Sequence, residues 1–111
     1  MNFQMEHTLD EQNNRWNVTL SGEIDIFNSA DLKKQLSELL SEHDACLHLN
    51  CKDLDFIDST GLGALVAVMK TVKLNGKDIY LNDLKRSIVR MFKITNLDTV
   101  FNINQEEGKN A

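Results

Sequence analysis

The residues of this 111-residue chain that could do chemistry concentrate in one stretch, Asp53-Leu54-Asp55-Phe56-Ile57-Asp58-Ser59-Thr60-Gly61-Leu62-Gly63. Immediately after it, Leu62, Leu65, Val66, Met69 and Val72 recur at helical spacing and stop at Asn75-Gly76, a good C-terminal signal. The stretch therefore falls where a strand gives way to the start of a nearly all-apolar helix, which is where α/β sheets usually place function. A helix start offers unpaired backbone N–H groups and the positive end of the helix dipole, and so can accommodate a phosphate. Ser59 and Thr60 put hydroxyls at that point, while Gly61 and Gly63 keep side chains out of the way.

Several chemistries compete for this segment. A nucleotide-binding P-loop needs GxxxxGK[ST], and no lysine follows these glycines before Lys70. The dinucleotide pattern GxGxxG fails because position 66 is valine. A hydrolase could use Ser59 as nucleophile with Asp58 beside it, but the nucleophile-elbow pattern is absent and no histidine is placed by the sequence. Asp53, Asp55 and Asp58 could be read as a cation site, although they lack the calcium-loop pattern. The plainest reading is that Asp58 or Ser59 caps the helix. From these residues alone the alternatives stay open.

The elements that must position the segment follow from periodicity. Alternation from Phe3 to Leu9, a turn over Asp10–Asn14, and a second alternating run through Trp16, Val18 and Leu20 predict an antiparallel hairpin, with Trp16 in the core. Gly22-Glu23-Ile24-Asp25 follows. Asn28 with Asp31 then resembles a capping arrangement ahead of the stripe Leu32, Leu36, Leu39 and Leu40. Ala45–Cys51 reads as a short central strand and Lys52–Asp58 as a loop. Beyond the apolar helix come a strand at Ile79–Leu81, a helix over Lys85–Lys93 with Ile88, Val89 and Phe92 turned inward, and a short strand at Val100–Ile103. The polar residues 104–111 read as a tail that frays. The order β-β-α-β-α-β-α-β predicts one domain over residues 1–111. It is of the α/β class, with a mixed, mostly parallel sheet of about five strands covered by helices.

Composition narrows the functional classes. Twelve bases against 17 acids give a net charge of −5 and a pI near 5.1, which speaks against nonspecific nucleic-acid or anionic-membrane binding. The basic cluster Lys85, Arg86, Arg90 and Lys93 is one helix long and reads as a solvated face. No apolar run is long enough to span a bilayer and the start carries no signal-peptide pattern, so the expected location is the cytoplasm. Cys46 and Cys51, five apart on a strand, point to opposite faces and read as unpaired thiols. His7, His43 and His48 show no ligand spacing, so neither a metal nor a cofactor is expected. Acidity is uneven: residues 1–58 carry 4 bases and 12 acids, residues 59–111 carry 8 bases and 5 acids.

Asp58-Ser59-Thr60-Gly61-Leu62-Gly63, with Phe56 before it and Gly22-Glu23-Ile24-Asp25 upstream, resembles the anti-sigma factor antagonist branch of the STAS family, in matching element order to Phe101. The resemblance implies a bacterial binding protein rather than an enzyme. Unphosphorylated, such a protein binds an anti-sigma factor with serine kinase activity and frees the sigma factor; phosphorylation switches binding off, and a PP2C-type phosphatase restores it. By that resemblance Ser59 is the phosphoacceptor, Thr60 is its neighbouring alternative, and Asp25, Asp58, Ser59, Thr60, Gly61, Leu62 and Gly63 form the partner-binding segment of a monomer or weak dimer. A STAS accessory subunit of a lipid or anion transport complex is the other role it implies. The family usually ends in another amphipathic helix, for which Gln105–Ala111 has no apolar stripe.

Overall fold

The alternating N-terminal residues form strands β1 (Phe3–Asp10) and β2 (Arg15–Ile24), an antiparallel hairpin in which Met5 faces Leu20 and Leu9 faces Trp16. The computed structural model describes residues 2–104. After the hairpin come α1 (Ser29–Glu42), β3 (Cys46–Ile57), α2 (Ser59–Leu74), β4 (Ile79–Asn82) and α3 (Arg86–Ile94). A 3-10 turn at Leu97–Thr99 precedes β5 (Asn102–Asn104). The sheet order is β1-β2-β3-β4-β5, with β2 to β5 parallel, so the mixed, mostly parallel α/β architecture is as the sequence predicts.

Because successive parallel strands are also neighbours, right-handed crossovers carry every helix over the same face of the sheet. The burial pattern agrees. Val18, Leu20, Leu47, Leu49, Ile79 and Leu81 point into the core beneath the helices, where they meet Leu32, Leu36, Leu65 and Val72. Asn17, Thr19, His48, Asn50, Tyr80 and Asn82 alternate onto the opposite face, half-buried or exposed. Trp16 is core, with its indole N–H donating to the His43 carbonyl at 3.0 Å. Cys51 is buried while Cys46 is partly exposed, and burial pushes the Cys51 thiol up to about 12.

Four expectations need correction. Lys52–Asp58 is no loop, because β3 continues to Ile57 alongside β2. Between Thr19↔Asn50 and Ser21↔Asp53, and again between Gly22↔Leu54 and Glu23↔Phe56, β3 spends one residue more than β2. These bulges change the spacing of its inward residues from two to three, giving Cys51, Leu54 and Ile57, and so hide the strand from an alternation test. Asn28 precedes α1 but makes no side-chain capping bond there, and Asp31 accepts from Gln35 Nε2 at 2.9 Å instead. Val100 and Phe101 lie before β5, where buried Phe101 meets Phe92 edge-on at 5.4 Å. Asn104 pairs with Asn82 within β5 rather than opening the tail; the expectations for 105–111, including the lost final helix, fall outside the described residues.

The bulged continuation of β3 predicts that Leu54→Ala costs about 2–5 kcal/mol in urea unfolding, as for other fully buried leucines. Exposed Asp53→Ala and Asp55→Ala should each fall within roughly 0.5 kcal/mol of wild type. A Leu54 effect as small as theirs would mean the segment is a loop after all.

Candidate functional site

The end of β3, still paired with β2 through Ile24↔Ile57, runs beyond its pairing with β4 and delivers Asp58 directly to α2. The Asp58 N–H donates to the Ile24 carbonyl at 3.1 Å, which ties the strand end to β2. The Asp58 side chain caps the helix: Oδ1 accepts from the Thr60 N–H at 3.0 Å, the Gly61 N–H at 3.1 Å and the Thr60 hydroxyl at 2.5 Å. The Thr60 hydroxyl is the main cause holding the Asp58 carboxyl below its ordinary value; partial burial opposes it, and the N–H groups of Gly61, Thr60 and Ile26 add to it.

Ser59, by contrast, is exposed, and its side chain makes no hydrogen bond among the described residues. The two adjacent hydroxyls are thus distinct: that of Thr60 is engaged on Asp58, that of Ser59 is free at the helix start. Asp25 is only 7% exposed, and its Oδ1 accepts from the Phe27 N–H at 2.9 Å. Around it, Asn28 Oδ1 accepts from the Asp25 N–H at 2.8 Å, and Asn28 Nδ2 donates to the Glu23 carbonyl at 2.9 Å. Asp25 therefore shapes the β2–α1 turn, and the Ile26 N–H of that turn adds a small part to the lowering of the Asp58 carboxyl. Gly61 and Leu62 face inward, whereas Gly63 lies on the exposed side with Ser59, one helical turn away.

The histidines a hydrolase would need are engaged elsewhere. His7 meets Trp16, His43 Nε2 bonds Asn14 Oδ1, and His48 stacks on Tyr80 at 4.3 Å. Among the described residues no group of three acidic, histidine or cysteine side chains is gathered to hold a metal ion. No helix among them is long and apolar enough to cross a membrane. The cluster Lys85, Arg86, Arg90 and Lys93 is exposed, with Lys85 3.5 Å from Asp55.

Residues 7–110 match the STAS domain. The chain belongs to the STAS family. Within the family it is similar to the anti-sigma-B factor antagonist of Bacillus subtilis, with 34% identity over 109 residues covering 97% of each chain. The solved structure of the anti-sigma factor antagonist SpoIIAA in its unphosphorylated form superposes with a TM-score of 0.78 at 17% identity, covering 97% of this chain and 90% of that one. The phosphorylated form of SpoIIAA, a Bacillus cell-fate determinant, gives 0.70 at 17%, covering 97% and 94%. At such identities these structures speak for the fold.

The sequence reading passed over two residues that stand beside this segment, Ile26 and Phe27. They belong to neither the strand alternation nor the helical stripe, and both are largely exposed, at 66% and 91%. Two adjacent large apolar side chains between Asp25 and Asn28, outside any periodic pattern, were the available signal.

The two helix glycines differ in kind. A Cβ on Gly61 would lie 2.5 Å from Ile57 Cγ1 and 2.8 Å from Ile24 Cγ2, so the close packing of α2 on the strand ends requires glycine there. A Cβ on Gly63 would meet nothing within 4 Å. Gly61→Ala should therefore destabilise by about 1–3 kcal/mol. Gly63→Ala should stabilise by about 0.5–1 kcal/mol, because alanine is the better helix former. Chemical denaturation of both variants checks the opposite signs.

The Asp58 hydrogen bonds also predict a pH dependence. With its folded pKa below the ordinary 3.8, the carboxylate contributes stability that is present above that value and is lost as the pH falls through the lower folded value. A carboxyl-detected NMR titration should find the Asp58 midpoint below 3.8, and Thr60→Val should move it upward. An unmoved midpoint would show that the hydroxyl does not hold the carboxylate.

Proposed function

We propose that this STAS protein is a phosphorylation-gated anti-sigma factor antagonist, a cytoplasmic binding protein and not an enzyme. Its unphosphorylated form binds an anti-sigma factor that is also a serine kinase and so releases a sigma factor. That kinase phosphorylates Ser59, and a PP2C-type phosphatase reverses the modification. The observation that carries the reading is the asymmetry of the two hydroxyls: Ser59 is exposed and unbonded, while Thr60 is held on Asp58 at 2.5 Å. Relatives named anti-sigma-B factor antagonists support the role. The existence of SpoIIAA in phosphorylated and unphosphorylated forms supports the switch.

The physics of such a switch is local. A phosphate on Ser59 brings about −1.5 to −2 charges to a helix start whose dipole favours it and whose neighbour Asp58 opposes it, so the fold should change little. Leu62, Leu65, Val68, Met69 and Val72 anchor α2 in the core independently of Ser59. At a docked interface no such balance operates. The phosphate must shed water against a partner fitted to a neutral hydroxyl, and a penalty of about 3 kcal/mol weakens binding roughly a hundredfold. Asp25, Gly61 and Leu62 contribute by fixing the shape of the segment; Ser59, Gly63 and the rim of Asp58 and Thr60 meet the partner.

Incubation with the cognate kinase and ATP should label Ser59, and Ser59→Ala should abolish the labelling while Thr60→Ser leaves it in place. The phosphorylated protein should keep its melting temperature within a few degrees and lose about a hundredfold in affinity for the kinase, read by calorimetry. Undiminished labelling in Ser59→Ala, or equal affinity of the two forms, would refute the proposal.

A further inference from the structure

Large apolar side chains left in water are unevenly distributed on this chain. Among the described residues they are Ile26, Phe27, Phe56, Leu74 and Ile94, and the first three sit at the C-terminal ends of β2 and β3, beside Asp58. Phe56 lies opposite Glu23 in the sheet, on the last paired stretch before Asp58. The Asp58 N–H donates to the carbonyl of Ile24, two residues before Ile26, at 3.1 Å. The apolar residues and the free hydroxyl of Ser59 therefore share one end of the molecule.

The exposure of Ile26 and Phe27 is not the result of a slack loop. Asp25 Oδ1 holds the Phe27 N–H at 2.9 Å, the Asp25 carbonyl accepts from the N–H groups of Asn28 and Ser29 at 3.2 and 2.9 Å, and Asn28 is bonded back to Asp25 and Glu23. A flexible turn would let a phenylalanine fold onto the nearest apolar surface. This one is built so that it cannot, and Phe27 stays 91% exposed. A rigid aromatic displayed in this way has already lost much of the freedom that docking would otherwise take from it. The surrounding charges are mostly of one sign: Glu23, Asp25, Asp53, Asp55 and Asp58 lie on the two strand ends, with Lys52 and Lys85 as nearby bases and Lys85 directed at Asp55.

We infer that Ile26 and Phe27 are the apolar anchor by which the anti-sigma kinase is held over Ser59, an inference that rests on the function proposed above. The kinase would present an apolar pocket for Phe27, rimmed by lysine or arginine side chains that answer the acidic strand ends, with its phosphoryl-transfer site opposite the start of α2. The bare face at Gly63, where a side chain would meet nothing within the chain, leaves room for the kinase to approach on the other flank of Ser59. The anchor gives affinity, and Ser59 gives the switch.

The test uses the full-length chain and its cognate anti-sigma kinase with ATP. The double variant Ile26→Ser/Phe27→Ser should lose about tenfold or more in affinity and raise the KM for Ser59 phosphorylation, with kcat and melting temperature close to wild type. Phe27→Leu should recover much of the affinity. Leu74→Ser, which removes an equally exposed apolar group far along α2, should bind as wild type. If the double variant binds and is phosphorylated as wild type is, or if Leu74→Ser loses as much, the anchor is refuted while the Ser59 switch stands. If wild type itself is neither bound nor labelled on Ser59 by the kinase, the functional reading falls and the anchor falls with it.

Discussion

One residue, Asp58, joins the end of the sheet to the start of α2. Asp58 follows β3 and opens α2: its carboxylate takes up N–H groups that would otherwise go unpaired at the helix start, and its own N–H ties the strand end to the Ile24 carbonyl of β2. Any movement of the end of β2 against the helix start would have to break the bond between the Asp58 N–H and the Ile24 carbonyl. The hydroxyl of Thr60 completes the set on Oδ1 and is the main cause lowering the basicity of the carboxylate. The result is a fixed platform on which the Ser59 hydroxyl is the unengaged group. That suits a residue modified by an external enzyme better than a nucleophile activated from within.

The platform exists because β3 is longer than a simple parallel partner of β2 would be. Extra residues inserted against Ser21 and Glu23 keep Leu54 and Ile57 in the core while advancing the strand to the edge of the helix layer. Gly61 then lets α2 settle directly against Ile57 and Ile24, with no space left for a methyl group. Close packing beneath the helix start and openness above it are two sides of one arrangement. The buried side fixes where Ser59 stands, and the bare side at Gly63 keeps it accessible.

A sheet with sequential strand order leaves one face without helices, and this chain covers that face with polar side chains. The placement of charge follows a different logic. Acids gather at the C-terminal ends of β2 and β3, and the bases of α3 stand on another exposed face, linked to them only by the solvent-screened pair of Lys85 and Asp55. Little on the described residues neutralises the strand ends, so this end of the molecule keeps a negative potential.

Much of this could be read before any coordinates. The alternation of Trp16, Val18 and Leu20, the stripe from Leu62 to Val72 and the stop at Asn75-Gly76 specify their elements locally, because each depends on a period that neighbouring residues enforce on one another. The segment Asp58–Gly63 stood out for a similar reason, since an aspartate, two hydroxyls and two glycines meet at a helix start, but its residues alone left helix capping and other chemistries open. What the sequence left undecided is what depends on a second strand or a second turn. The bulges of β3 are a relation between two chains of hydrogen bonds, so the three-residue spacing of Cys51, Leu54 and Ile57 looked like a loop until β2 was laid beside it. Asn28 looked like a cap, but its side chain is bonded back to Asp25 and Glu23, a choice made by the turn and not by the helix. The difference between Ser59 and Thr60, and between Gly61 and Gly63, was invisible in sequence for the same cause. Residues of the same or similar chemistry acquire different roles when packing decides which one faces the core and which one faces water.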